Sequence, residues 1–207
     1  LLAGETCALV SDAGSPAISD PGEDLVALCA EKGITVTSIP GCCAGITALT
    51  LSGLPTRRFT FEGFLSVNKA ERKKHLDSLK NEPRTMIFHE APHKLKTTLS
   101  DLREAFGDTR RISLCRELTK LNEEVLRLTL AEAVAYYEEN APRGEYVLVV
   151  GGAEEKESPL NALSEKEHIQ HYMAAGLDKK EAMKAAARDR GVTKSDIYRE
   201  YVTNGGN

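Results

Sequence analysis

The chain has 207 residues, 41% of them apolar and 28% charged, with a formal net charge of −4. That is the composition of a globular protein, with length for one large domain or two to three small ones. No apolar run approaches the ~20 residues of a membrane span, and no signal-peptide pattern opens the sequence as given. The five cysteines (Cys7, Cys29, Cys42, Cys43, Cys115) form no CxxC pair and show no metal-ligand spacing. A reduced, cytoplasmic setting without a metal site is expected. Charge is uneven along the chain. Residues 57–120 hold fifteen basic and nine acidic groups, whereas residues 1–56 hold one and six. A basic middle block in an acidic protein suggests one face for a polyanion, the alternative being solvated charges clustered by chance.

The first element, residues 6–10, reads as a buried strand. It ends in two turn clusters, Ser11–Pro16 and Ser19–Gly22. Strand-to-helix connections are usually a few residues long. Here Gly14 permits positive φ or close approach of a ligand, Pro16 and Pro21 stiffen the loop, and Asp12 and Asp20 can bond their own backbone. A rigid loop at the carboxyl end of a strand is a ligand-binding position in α/β sheets; the alternative is a well-made turn. Apolar spacing predicts a helix over 23–32, closed by Gly33, and a strand over 34–39. Pro40-Gly41 then feeds a helix over 44–51. This alternation argues for a parallel sheet, with the two strand–turn–helix junctions on one edge. For Cys42-Cys43 the alternative is a buried helix start.

Gly53 and Pro55, where the charge changes sign, mark a domain joint. Around it stand Arg57, Arg58, Lys69, Arg72, Lys73 and Lys74, the candidates for phosphate contacts. Next come a short β segment at 59–64, a lysine-rich helix at 69–80, a strand at 85–90, a helix at 94–106, a strand at 110–118, a helix at 129–140 and a closing strand at 144–152. Residues 153–159 are a charged linker. Beyond it helices at 164–175, 179–189 and 195–202 resemble a helix-turn-helix unit. Ala182, Met183, Ala186, Ile197 and Tyr198 fall at helical spacing and should form its small core, leaving the basic residues in water. The expected domains are therefore 1–55, 56–152 and 160–203.

"FHEAPHK" holds His89, Glu90 and His93. Histidines four apart bind metal from a helix face, but here they straddle Ala91-Pro92 at a strand end. "CRELTKLNEE" holds Arg116, Glu117, Lys120, Glu123 and Glu124, either a site or a salt-bridge cluster. No Ser-His-Asp set, Cys-His nucleophile or P-loop is visible.

Six motifs, "LVSDAGSPAISDPG", "PGCCAGITALTLSGLP", "FTFEGFL", "FHEAPHKL", "CRELTKLNEE" and "GEYVLVV", occur here in order. Together they resemble the small-subunit ribosomal RNA methyltransferase I family, a branch of the tetrapyrrole methylase superfamily. The resemblance covers nearly the whole chain. It implies two α/β domains with S-adenosyl-L-methionine in the cleft between them, the first domain partial, plus the small helical unit. It implies 2′-O-methylation of a cytidine in small-subunit (16S) ribosomal RNA by a homodimer. Carried over by motif, Asp12, Ala13, Gly14 and Ser15 should line the methionine side of the cofactor, and Cys43 and Ala44 should contact it from the second junction. Glu90, Glu117 and Lys120 are the candidates for accepting the hydroxyl proton; Lys120 would do so only if burial kept it neutral, and would otherwise hold a phosphate. The chain departs from the family pattern at several positions. Cys43 stands where serine is usual, and Leu128 where glycine is. His89-Glu90-Ala91-Pro92-His93-Lys94 stands for Tyr-Glu-Ser-Pro-His-Arg. The family carries a further upstream strand–helix–strand unit with a Pro-Ile-Gly-Asn cofactor loop, so the cofactor site of this stretch is expected to be incomplete. The alternatives are a methyltransferase of the same fold acting on a tetrapyrrole or other small substrate, and a non-catalytic RNA-binding fragment.

Overall fold

The computed structural model describes residues 1–12, 14–153 and 159–203. Two compact units divide the chain, Leu1–Ala153 and Glu154–Asn207.

The first unit is built on five strands: β1 (Phe59–Phe64), β2 (Thr85–Glu90), β3 (Arg111–Arg116), β4 (Glu124–Thr129) and β5 (Tyr146–Val150). They lie in the order β1-β2-β5-β3-β4. Only β1 and β2 pair parallel; β2–β5, β5–β3 and β3–β4 are antiparallel. The central strands "TMIFHE" and "YVLVV" are nearly continuous apolar runs because both sheet faces are covered. Met86, Phe88, Leu148 and Val150 point to one face. There they pack with Leu76 of α3 (Lys69–Ser78), Leu95, Leu99 and Leu102 of α4 (Leu95–Phe106), and Leu130 and Ala133 of α5 (Leu130–Glu139). Ile87, Cys115, Val147 and Val149 point the other way, onto Ala48 and Leu49 of α2 (Ala44–Ser52). Each Leu, Ile, Val, Phe or Met side chain among them, when fully buried, stabilises the fold by roughly 1.5–3 kcal/mol.

Helix α2 is fastened to this face by polar contacts as well. It ends at Gly53 in the left-handed conformation (φ 73°). Its orphan Leu51 carbonyl accepts two hydrogen bonds from the Arg127 guanidinium of β4, at 2.5 and 3.1 Å. Thr85 Oγ1 donates to the Pro55 carbonyl at 2.7 Å. The remaining helix of this unit, α1 (Glu23–Glu31), follows the opening loop.

Three sequence expectations are corrected here. Residues 6–10 and 34–39 are not strands: neither joins a ladder among the described residues, and Val10 and Ile39 are 81% and 89% exposed. Apolar β propensity is a local signal, whereas a strand exists only through a paired neighbour. The sheet is accordingly mixed rather than parallel and draws every strand from 59–150. Finally, β4 is a strand that the sequence pattern does not announce. Its segment "EVLRLT" adjoins an acidic cluster that hides a short alternation, and it forms the sheet edge with Arg116 opposite Glu124 and Ile112 opposite Leu128.

The second unit holds a short 3-10 turn (Pro159–Ala162) and helices α6 (Glu165–Ala174), α7 (Lys179–Asp189) and α8 (Lys194–Thr203). Capping boxes start α6 (Ser164, Glu167) and α7 (Asp178, Glu181). Its core is Ile169, Ala182, Met183, Ala186, Ala187, Ile197 and Tyr201. Tyr198 is not in it: at 58% exposure it faces solvent, because Tyr201, four residues after Ile197, occupies the inward position. Nor do all the basic residues face water. Arg190 is drawn inward to Glu165 (2.8 Å), His168 (3.1 Å) and the Leu163 carbonyl.

Candidate functional site

The first unit contains a cavity of about 550 Å³. Six stretches of chain meet around it: the opening loop, the segment entering α2, β1, the β2–α4 turn, and the paired segments after β3 and before β5.

Gly14, Ser15, Ile18, Ser19 and Asp20 supply the opening-loop wall. Gly14 has φ 72°, and a Cβ there would stand 3.4 Å from the Cys42 carbonyl. That is an ordinary contact distance, so it is the left-handed backbone that favours glycine where the first junction meets the second. Ala17 and Ser19 also hold positive φ (65° and 59°), so this loop stores backbone strain. Across from it Cys43, Ala44 and Thr47 carry the start of α2. Cys43 is the N-cap, yet its side chain caps nothing. The first-turn N–H groups are therefore left as donors toward a ligand.

The strand face behind these loops is aromatic. Phe61, Phe64 and His89 line it, with both phenyl rings perpendicular to the imidazole at centroid distances of 5.3 and 5.4 Å. Burial lowers the proton affinity of His89, and the Glu145 and Asp20 carboxylates partly restore it. Cys115, buried on the same face, has its thiol pushed up by desolvation and stays neutral.

The last wall is charged. Glu117 and Thr119 sit at positive φ (50° and 66°). Glu117 Oε1 accepts the Glu145 N–H at 2.9 Å and the Lys120 ammonium at 3.1 Å. Lys120 also reaches Glu145 Oε2 at 3.1 Å. The backbone hydrogen bond from Glu145, with Lys120, holds the Glu117 carboxyl below its usual range. Glu145 and Glu117 together raise Lys120, so the ammonium stays charged. A Cβ on Gly144 would lie 2.5 Å from the Glu117 side chain, so this ion-paired arrangement requires glycine there.

Of the residues chosen from sequence, Gly14, Ser15, Cys43, Ala44, Glu90, Glu117 and Lys120 all line the one cavity. Asp12 is exposed on the same loop but does not line it, and Ala13 lies outside the described residues. Glu90 is only 5% exposed, and both its oxygens are engaged, Oε1 by the Ala91 N–H (2.9 Å) and Oε2 by the Thr98 hydroxyl (2.5 Å). It ties the end of β2 to α4. Among the described residues no group of three His, Cys, Asp or Glu converges as metal ligands. None of Arg57, Arg58, Lys69, Arg72, Lys73 and Lys74 lines this cavity. Arg72 is held by Asp101 (2.6 Å) and the carbonyls of Ser66 and Val67, and Lys73 by Glu104 (3.2 Å). Phe61, Phe64, Asp20 and Glu145 line the cavity without having been singled out for the site from sequence. The alternation of β2 is the available signal for His89, since it shares a face with Ile87 rather than with Glu90.

Residues 1–134 match the family model of Tetrapyrrole (Corrin/Porphyrin) Methylases. Among curated relatives, the ribosomal RNA small subunit methyltransferase I of Halalkalibacterium halodurans is 50% identical over 97% of this chain and 71% of its own length. The Bacillus subtilis protein of the same name is 46% identical over 97% and 70%, and that of Pseudomonas aeruginosa 42% identical over 100% and 74%. Among solved structures, the methyltransferase CobJ superposes with a TM-score of 0.52 at 22% identity, covering 68% of this chain and 62% of its own. Cobalt precorrin-4 methyltransferase, CbiF, gives 0.51 at 15% identity, covering 67% and 61%. The chain therefore spans about seven-tenths of those curated relatives and less than two thirds of those structures, and the latter establish the fold alone. A mixed sheet whose loops close over one cavity, a family match across most of that unit and identities up to 50% agree: this chain belongs to the tetrapyrrole methylase superfamily, in its small-subunit ribosomal RNA methyltransferase I family.

Proposed function

We propose that the cavity is the methyl-transfer site of an S-adenosyl-L-methionine-dependent enzyme that methylates the 2′-hydroxyl of a cytidine in small-subunit ribosomal RNA. The observation that carries the reading is the convergence of Gly14, Ser15, Cys43 and Ala44 with Glu117 and Lys120 around a single cavity.

The residues present fit this cofactor. The uncapped start of α2 suits the carboxylate of its methionine part. Gly14 allows close approach at the loop, and Asp20, Glu117 and Glu145 outweigh the Lys120 cation among the lining charges, which suits a sulfonium cation. Bound there, the cofactor supplies an electrophilic methyl group. The chain must align a ribose hydroxyl, exclude water and accept a proton. Lys120, about half exposed and held as a cation between two carboxylates, suits the phosphate-holding role of its two candidate roles. Glu117 keeps that cation in place. Glu90, with both oxygens engaged, sets the β2–α4 turn.

The 30S subunit is the proposed substrate, the cytoplasm its compartment and a homodimer its assembly. The proposal also keeps a functional division near residue 55 and the helical unit as an RNA-docking module. Support for an RNA partner comes from the homologues' names and from Arg57, Arg58, Lys69 and Lys74, which form no salt bridge among the described residues. The test is transfer of a labelled methyl group to 30S subunits lacking the modification, followed by alkaline hydrolysis. Label in an alkali-resistant dinucleotide at one cytidine is the expected result; label on a base, or none, overturns it.

A further inference from the structure

His89 is the cavity residue that the reading above leaves without a task. It lies on β2 opposite Val147 of β5 and Phe64 of β1, and strand alternation turns it to the α2 face while Glu90 turns to α4 and is consumed there by Thr98. No described residue hydrogen-bonds to its ring. Nε2 is buried without a partner, whereas Nδ1 is not among the buried atoms left unpartnered. The two nitrogens therefore have different surroundings. The phenyl rings of Phe61 and Phe64 stand perpendicular to the imidazole at 5.3 and 5.4 Å. With Nε2 buried, Nδ1 is the nitrogen left to meet a substrate, and a proton-accepting Nδ1 requires the ring proton on Nε2.

We propose that His89, as the Nε2–H tautomer, is a catalytic residue whose Nδ1 accepts the proton of the methyl-accepting hydroxyl. The inference rests on the proposed methyl transfer to a ribose oxygen. In that step the O–H bond breaks as Nδ1 takes the proton. The oxygen closes a bond to the methyl carbon, and the C–S electron pair stays on sulfur, leaving a neutral thioether and an imidazolium. The charged groups lining the cavity around His89 suit this. Asp20 from the opening loop and Glu145 before β5 stabilise the imidazolium. Glu117 and Lys120 after β3 neutralise each other. Glu90, Tyr146, Cys42, Cys43 and Cys115 complete the titratable lining. Desolvation keeps the imidazole neutral in the resting site, below the ordinary histidine value of about 6.5. A neutral imidazole is the form that can take the proton of a weakly acidic hydroxyl.

Two measurements test it. In single-turnover methylation of 30S subunits, the wild-type rate should rise with pH through a limb below 6.5. His89→Asn, which offers an acceptor near Nδ1 but cannot take a proton, should lose that limb and slow by about 10²–10⁴-fold with RNA affinity unchanged. A rate within a few-fold of wild type, or an unchanged limb, overturns the proposal. The second uses ¹⁵N NMR of the unmutated protein and needs no turnover. Nδ1 should show the shift of an unprotonated nitrogen at pH 7, and an Nδ1–H tautomer or an imidazolium at that pH overturns the assignment. A wild-type protein inactive on 30S subunits would overturn the functional reading, while the tautomer measurement still decides His89's protonation.

Discussion

At the residue scale the cavity is set by a few side chains and by glycines that nothing else replaces. Gly144 is one: alanine there is strained at φ 73° and drives its Cβ into Glu117. Gly144→Ala should lower stability by about 1–2 kcal/mol in urea titration and weaken RNA binding, because Lys120 loses an anchor. An unchanged urea midpoint with normal RNA affinity would show that Glu117 is free to move. Glu82 gives a pH-dependent counterpart. Forked against Arg84 at 2.6 and 2.8 Å, its carboxyl is held down to about 2 against an ordinary 4.5. A carboxyl lowered in the folded state stabilises above its unfolded value and loses that contribution as pH falls through the folded one. Glu82→Gln should thus be less stable than wild type at pH 7, with the gap closing from about pH 4.5 toward 2. A gap that widens on acidification contradicts the pairing. The motifs place Glu117 and Lys120 at the site but do not reveal their protonation. Both depend on Glu145, twenty-five or more residues away in sequence and brought alongside only by the sheet.

At the element scale the helices are legible in the sequence almost to their ends. Their signals, caps and 3.6-residue spacing, are local: Asn68 caps α3, and Thr129 with Glu132 forms the capping box of α5. Strands are legible where the sheet buries them on both faces, as with "TMIFHE" and "YVLVV", and at the edge strand β1, whose "FTFEGF" reads as a short β segment. Segments 6–10 and 34–39 carry equally apolar sequence but acquire no ladder, and β4, an edge strand with a charged flank, hides its alternation. Helix α2 has a support that no local pattern signals. It depends on Arg127, seventy-six residues further along, for closure of its last turn. Arg127→Ala should destabilise the first unit by about 1.5–3 kcal/mol, the range for hydrogen bonds to a charged group, and shift amides of 44–52 in NMR. A loss below about 0.5 kcal/mol, the floor for a net hydrogen bond, would mean that apolar packing on Ile87 and Val149 holds α2 unaided.

At the scale of the whole molecule, the chain offers the cavity proposed for methyl transfer in one unit and a helical bundle with its own core in the other. Deleting residues 160–203 should leave cofactor affinity unchanged while capture of 30S subunits weakens; unfolding of the first unit on deletion would refute a docking role. Replacing Arg57, Arg58, Lys69 and Lys74 together should flatten the dependence of RNA affinity on salt by up to about three log-log units, at ~0.7 per single-strand phosphate. An unchanged slope would place the RNA elsewhere. The order of the motifs makes the family and the two junctions readable from the residues alone. The aromatic floor and the state of His89 are not readable in that way, since they arise from β1 and β2 lying side by side. The most direct test is calorimetric titration of S-adenosyl-L-methionine into the wild-type protein and into Gly14→Val, with circular dichroism to check the fold. Gly14 lies at the junction of both loops, and valine there is strained at φ 72° and fills the approach to Cys42. Saturable binding by wild type and its loss in a folded Gly14→Val protein is the expected result; equal affinity in the two proteins, or no binding by wild type, would contradict the assignment of this cavity.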